Sequence, residues 1–178
     1  RGGSQCMHEQ VNSGDRLYIS EPRNLFPLVG EARRSLLFAG GIGITPILCM
    51  AEQLAQSGAD FELHYCARAS ERAAFLERLK GAPFADRVHL HFDEDADSRL
   101  DALNVLAGPA PDLHLYVCGP SGFMQHVLDS ARIQGWSEAQ LHREYFAAAP
   151  VDTSTDGSFQ VKLGSSGQVF DIPADKTV

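Results

Sequence analysis

The stretch Leu36-Leu37-Phe38-Ala39-Gly40-Gly41-Ile42-Gly43-Ile44-Thr45-Pro46-Ile47 runs an unbroken apolar segment into a glycine turn and then into a helical start. It reads as a buried strand feeding a helix. The glycines allow a tight bend and a close backbone approach to a ligand, while Thr45 is expected to cap the helix and Pro46 to sit in its first turn. Free amides and the helix dipole then converge on one point, which favours an anion. Pro46 stands where the common dinucleotide fingerprint has a third glycine, so the turn by itself is equally compatible with a tight junction that holds nothing.

The surrounding pattern alternates. Apolar Leu36 to Ala39 is followed by a helix over Pro46 to Gln56, a strand over Phe61 to Ala67 and a helix over Ser70 to Leu79. Next come a strand over Val88 to Phe92, a short helix near Leu100 to Leu106, a strand over Leu113 to Cys118 and a helix over Gly122 to Gln134. Such alternation predicts a parallel sheet covered by helices, an α/β fold. Leu115-Tyr116-Val117-Cys118-Gly119-Pro120-Ser121-Gly122 repeats the strand-to-glycine-turn arrangement. Two such turns on neighbouring strands place two ligand-facing edges at the carboxyl end of one sheet, where open α/β sheets bind ligands.

Charge and cysteine content exclude other classes. A net charge of −8 over 178 residues argues against nucleic acid and anionic membranes as partners. No apolar run approaches a membrane span. Cys6, Cys49, Cys66 and Cys118 have no close spacing of a metal-binding kind, and are expected to be mostly reduced and buried, which suits the cytoplasm.

The flanks differ from the middle. Gly14-Asp15-Arg16-Leu17-Tyr18-Ile19-Ser20 reads as a turn and an alternating strand, the tail of a β domain. Residues 147–157 are small, polar and proline-broken, a linker. Beyond them Phe159 to Leu163 and Gln168 to Ile172, joined by Gly164-Ser-Ser-Gly167, predict a hairpin that is too small to stand alone and so begins a further domain. Both chain ends read as cut within larger elements.

Gly40 to Pro46 together with Cys118-Gly119-Pro120 resembles the nicotinamide domain of ferredoxin-NADP reductase-like flavoenzymes. Arg1-Gly2-Gly3-Ser4, the Gly14-Asp15 turn and Pro22 to Pro27 are similar to the phthalate dioxygenase reductase and vanillate O-demethylase reductase branch. The resemblance implies the end of an FMN-binding β-barrel over 1–30, an NAD-binding α/β domain over 31–146, the linker 147–157, and the start of a β-grasp [2Fe-2S] ferredoxin domain over 158–178. It implies hydride transfer from NADH to FMN and one-electron transfer to [2Fe-2S] and a terminal oxygenase partner. The flavin-ring motif that precedes Arg1 in the family and the four cluster cysteines that follow Val178 are not in this sequence.

Residue by residue, Arg1, Gly2, Gly3 and Ser4 match the segment that holds the FMN phosphate, with chemistry that suits a dianion. Thr45 matches a position near the flavin, and Cys118 the cysteine beside the nicotinamide ring. Phe146 matches an aromatic that stacks on the flavin, with Tyr145 its alternate if the register is off by one. Gly40, Gly41, Gly43, Pro46, Gly119 and Pro120 belong to the dinucleotide cradle. Arg68 ends the second strand of the α/β section, within reach of pyrophosphate or ribose, and Ser70 and Arg72 lie near the 2′ position. An arginine there favours NADPH, whereas the resemblance favours NADH.

Other clusters read as bland. His89 and His91 share a strand face, but no carboxylate or cysteine pair is placed in sequence to complete a metal site. Asp93 to Asp97 reads as a solvated turn. Arg23, Arg33 and Arg34 flank the domain junction, where they would meet an acidic partner. Two alternatives stand beside the oxygenase-reductase reading: another flavin and NAD(P)H reductase of the same fold, and a non-enzymatic nucleotide-binding module.

Overall fold

The computed structural model describes residues 3–30, 32–146 and 157–173. Its elements are α1 (Gly3–Glu9), β1 (Arg34–Gly40), α2 (Ile44–Ser57), β2 (Asp60–Ala67), α3 (Leu76–Lys80), β3 (Val88–Phe92) and α4 (Ala102–Val105). They continue with β4 (Leu113–Cys118), α5 (Ser121–Ile133), β5 (Leu141–Glu144), β6 (Phe159–Lys162) and β7 (Val169–Ile172). Strands β1 to β5 form one parallel sheet in the order β3-β2-β1-β4-β5. The chain builds outward from β1 through β2 to β3, then crosses back to β4. The order therefore reverses between β1 and β4, and their carboxyl ends flank the crevice of an open α/β sheet.

Alternation along β1 sorts the core. Leu37 and Ala39 face α2 with Ile44, Ile47, Ala51, Phe61, Leu63 and Tyr65. Leu36 and Phe38 face α5 with Leu115, Val117, Val127, Leu128 and Trp136. Each large apolar side chain buried this way contributes about 1.5–3 kcal/mol. The chain before β1 is tied to this core at Tyr116, whose hydroxyl accepts from the Val29 amide at 2.8 Å and whose ring meets Phe26 edge-on.

Several local expectations change. The strand expected over Leu17 to Ser20 is irregular chain, with Tyr18 and Ile19 exposed, because no neighbouring strand among the described residues offers it a ladder. The helix expected from Ser70 to Leu79 is instead a short 3₁₀ turn and the five residues of α3, broken at Phe75, whose φ is +63°. Cys6 and Cys49 are exposed rather than buried, although all four cysteines are free. Arg33 pairs with Asp112 at 2.7 Å and Arg34 with Glu62, so both are engaged within the chain rather than offered to a partner.

The hairpin of β6 and β7 forms with Phe159 opposite Ile172 and Lys162 opposite Val169. The linker expected over 147–157 lies outside the described residues except for Gly157, as do Arg1 and Gly2. Among the described residues no helix is long and apolar enough to cross a membrane.

Candidate functional site

The two glycine turns meet at the crevice. After Gly40 the chain makes a 3₁₀ turn over Gly41–Gly43, with Gly41 at φ +52°, before α2 begins. After Cys118 it turns at Gly119 and Pro120 into α5. A Cβ on Gly43 would overlap the Cys118 carbonyl and lie 2.7 Å from the Gly119 nitrogen. Backbone thus packs on backbone, and any side chain at these positions would push the turns apart.

A cavity of about 310 Å³ opens beside them, lined by Gly40, Gly41 and Pro120 from the turns and by Arg68, Arg72 and Asp93 from the ends of β2 and β3. Arg68 and Arg72, expected to lie near a nucleotide, share this wall, while Ser70 is exposed and outside it. The cap position of the turn that Ser70 opens is Ala69, so Ser70 is not the cap either. Two lining residues escaped the sequence reading. Asp93 belongs in sequence to an acidic, turn-like run, and Phe123 packs so close to Gly40 that a Cβ there would stand 2.6 Å from its ring. A larger cavity of about 570 Å³ lies between the second half of α2 and residues 78–84, and none of its lining residues belongs to either turn.

Thr45 is the second residue of α2, not its cap. The cap position is Gly43, and the Thr45 hydroxyl donates to the Ile42 carbonyl at 3.0 Å instead of accepting an amide. Pro46 lines a different groove of about 350 Å³, with Arg23, Phe26, Met50 and Glu144. Pro46 therefore lines a different cavity from Arg68. Gly3 and Ser4 open α1.

Cys118 is buried at the end of β4, opposite Glu144 of β5. Burial first, and Glu144 second, push its thiol up to about 11, so it stays protonated and is a small apolar wall rather than a nucleophile. Burial and Asp93 push Cys66 up to about 12 in the same way. Tyr145 and Phe146 follow β5 with both rings exposed, and the Arg143 guanidinium lies 5.8 Å from the Tyr145 centroid.

The histidine reading is also revised. His89 does meet a carboxylate, because the register sets it opposite His64 of β2 with Glu62 close by, whereas His91 meets the His64 ring instead. Burial, then the neighbouring imidazoles and Arg34, lower the His64 pKa to about 3, so this imidazole is neutral.

No family model matches this chain. Vanillate O-demethylase oxidoreductase of Pseudomonas putida is 72% identical over 178 residues, covering all of this chain and 56% of that protein. The carnitine monooxygenase reductase subunit of Escherichia coli is 41% identical across the whole chain and 54% of its own length. The chain thus spans little more than half of the curated relatives it matches. Among solved structures, phthalate dioxygenase reductase superposes with a TM-score of 0.76 at 37% identity, over 98% of this chain and 55% of that one; it is described as a modular structure for electron transfer from pyridine nucleotides to [2Fe-2S]. With the strand-order reversal, the paired glycine turns and these likenesses in hand, the five-stranded sheet has the ferredoxin reductase-like fold, and the chain is similar to vanillate O-demethylase oxidoreductase and phthalate dioxygenase reductase.

Proposed function

We propose that this chain is the nicotinamide-binding part of an NADH-dependent oxidoreductase, flanked by the end of a flavin barrel over 1–30 and the start of a ferredoxin domain over 158–178. The observation that carries the reading is the cavity on which both glycine turns, Arg68 and Arg72 converge. The residues fit a dinucleotide: the turns form a cradle whose spacing a Cβ at Gly43 or Gly119 would disrupt, because it would strike the backbone of the other turn.

When bound, the nicotinamide would supply a hydride, and FMN and [2Fe-2S] would divide its electrons for a terminal oxygenase component. The chain's own residues do the positioning. Backbone at Gly40, Gly41, Gly119 and Pro120 admits the pyrophosphate, and Arg68 and Arg72 balance its charge. Asp93 accepts from ribose hydroxyls and opposes a 2′-phosphate, which favours NADH over NADPH. Cys118, neutral and small, keeps water from the nicotinamide side. Phe146 covers the flavin ring, Thr45 stands near it, and Arg1, Gly2, Gly3 and Ser4 hold its phosphate. Free cysteines suit a reducing cytoplasm.

The test is the whole protein, purified and assayed for flavin absorbance and NADH-dependent dye reduction. Both are expected, and Phe146→Ser should change the reduction rate while leaving the unfolding midpoint within about 0.5 kcal/mol, since the ring is exposed. A preparation with no flavin and no NADH-dependent reduction would overturn the reading.

A further inference from the structure

On one face of the sheet the His64 ring stacks on Phe38 with centroids 5.0 Å apart, on His89 at 4.7 Å and on His91 at 5.3 Å. A hydrogen-bond chain fixes where the ring hydrogens of His91 and His64 lie. The Ser98 carbonyl only accepts, so the His91 Nδ1 that lies 2.7 Å from it carries the hydrogen. The His91 Nε2 is then an acceptor, and the His64 Nδ1 donates to it at 3.0 Å. The His64 Nε2 is left with a bare lone pair, fully buried and without a hydrogen-bond partner among the described residues.

That lone pair faces another electron-pair donor. Glu62 Oε2 lies 3.7 Å from it, while Arg34 holds the other carboxylate oxygen at 2.5 Å and approaches Asp60 at 3.6 Å. His89, exposed on β3, completes the group: one ligand atom each from Glu62, His64 and His89 lies within 4.8 Å of the others. Three Lewis bases converge, and the buried one needs an electrophile.

We propose that Glu62, His64 and His89 bind a divalent transition-metal ion of the zinc class. Two imidazoles and a carboxylate are a donor set that zinc accepts, at about 2.0–2.2 Å from each atom. The donors then close to about 3.3 Å apart in a tetrahedral arrangement, through rotation of Glu62 and the exposed His89. The bond from His64 to His91, and on to the Ser98 carbonyl, is the outer support that orients a ligating imidazole. The ion ties the edge strand β3 to β2 and stabilises the fold by mass action.

Zinc chloride is titrated into the full chain carrying Cys6→Ser and Cys49→Ser, which removes the exposed thiols, against a competing chromophoric chelator. One equivalent is expected to bind, with a zinc-dependent rise in melting temperature and a shift of the His64 Nε2 resonance. His89→Ala, at an exposed position, and Glu62→Gln should each weaken binding about tenfold or more and reduce the thermal gain. No saturable binding, or equal affinity in both variants, meaning an adventitious ion only, would overturn the proposal.

Discussion

Gly119 stands against Gly40 so closely that a Cβ on Gly119 would lie 2.9 Å from both the Cα and the carbonyl oxygen of Gly40. Gly119 also has a φ of +154°, which side-chain-bearing residues rarely adopt. The two turns that edge the cavity are held at their spacing by missing side chains, so the width of the cradle is a property of backbone contact.

Gly119→Ala is therefore expected to destabilise the fold by about 1–3 kcal/mol and to widen the cradle, with at least tenfold weaker dinucleotide binding. Gly122, three residues on and within α5, has nothing within 4 Å of its would-be Cβ. Gly122→Ala should leave stability unchanged or raise it by up to about 1 kcal/mol. Urea unfolding of the two variants checks the contrast, and equal destabilisation would count against it.

Asp93 shares the cavity wall with Arg68 and Arg72, so coenzyme choice turns on the balance between one carboxylate and two guanidinium groups. In the whole protein Asp93→Asn should lower the ratio of kcat/KM for NADH over NADPH about tenfold, or about 1.4 kcal/mol, by removing repulsion of the 2′-phosphate. An unchanged ratio would show that Asp93 does not meet the ribose.

Stability should fall on the acid side through the pair His114 and His142, whose ring nitrogens are 2.9 Å apart. Burial lowers both pKa values below the ordinary 6.5, and His114 lowers that of His142 further, while Asp112 works against burial at His114. Below pH 6.5 the unfolded chain takes up protons that the folded pair resists, so this contribution is intact above 6.5 and is lost as pH falls toward the folded values. Urea midpoints should drop between about pH 7 and pH 5, and His142→Gln should make the drop shallower. A variant with the same slope would locate the acid sensitivity elsewhere.

Much of this was legible along the chain because the signals are local. The apolar run to Ala39 and the glycines after it mark β1 and its turn, and Val88 to Phe92 is a strand of the expected extent. What escaped depends on partners distant in sequence. Glu62, His64 and His89 become neighbours only through the register of β2 and β3, and Asp93 reaches the cavity only because β3 ends beside Arg68. Thr45 looks like a cap, but three residues of 3₁₀ turn displace the helix start to Ile44. Tyr18 and Ile19 carry strand-forming side chains, yet a strand needs a neighbour to pair with.

The central claim, that a nicotinamide dinucleotide binds at the carboxyl edge between β1 and β4, is tested most directly by titrating NAD into the isotopically labelled full chain and following backbone amides. The account predicts saturable shifts centred on Gly40, Gly41, Arg68, Gly119 and Ser121. Shifts centred instead on Glu52, Arg78 and Phe84 at the larger cavity, or none at all, would contradict it.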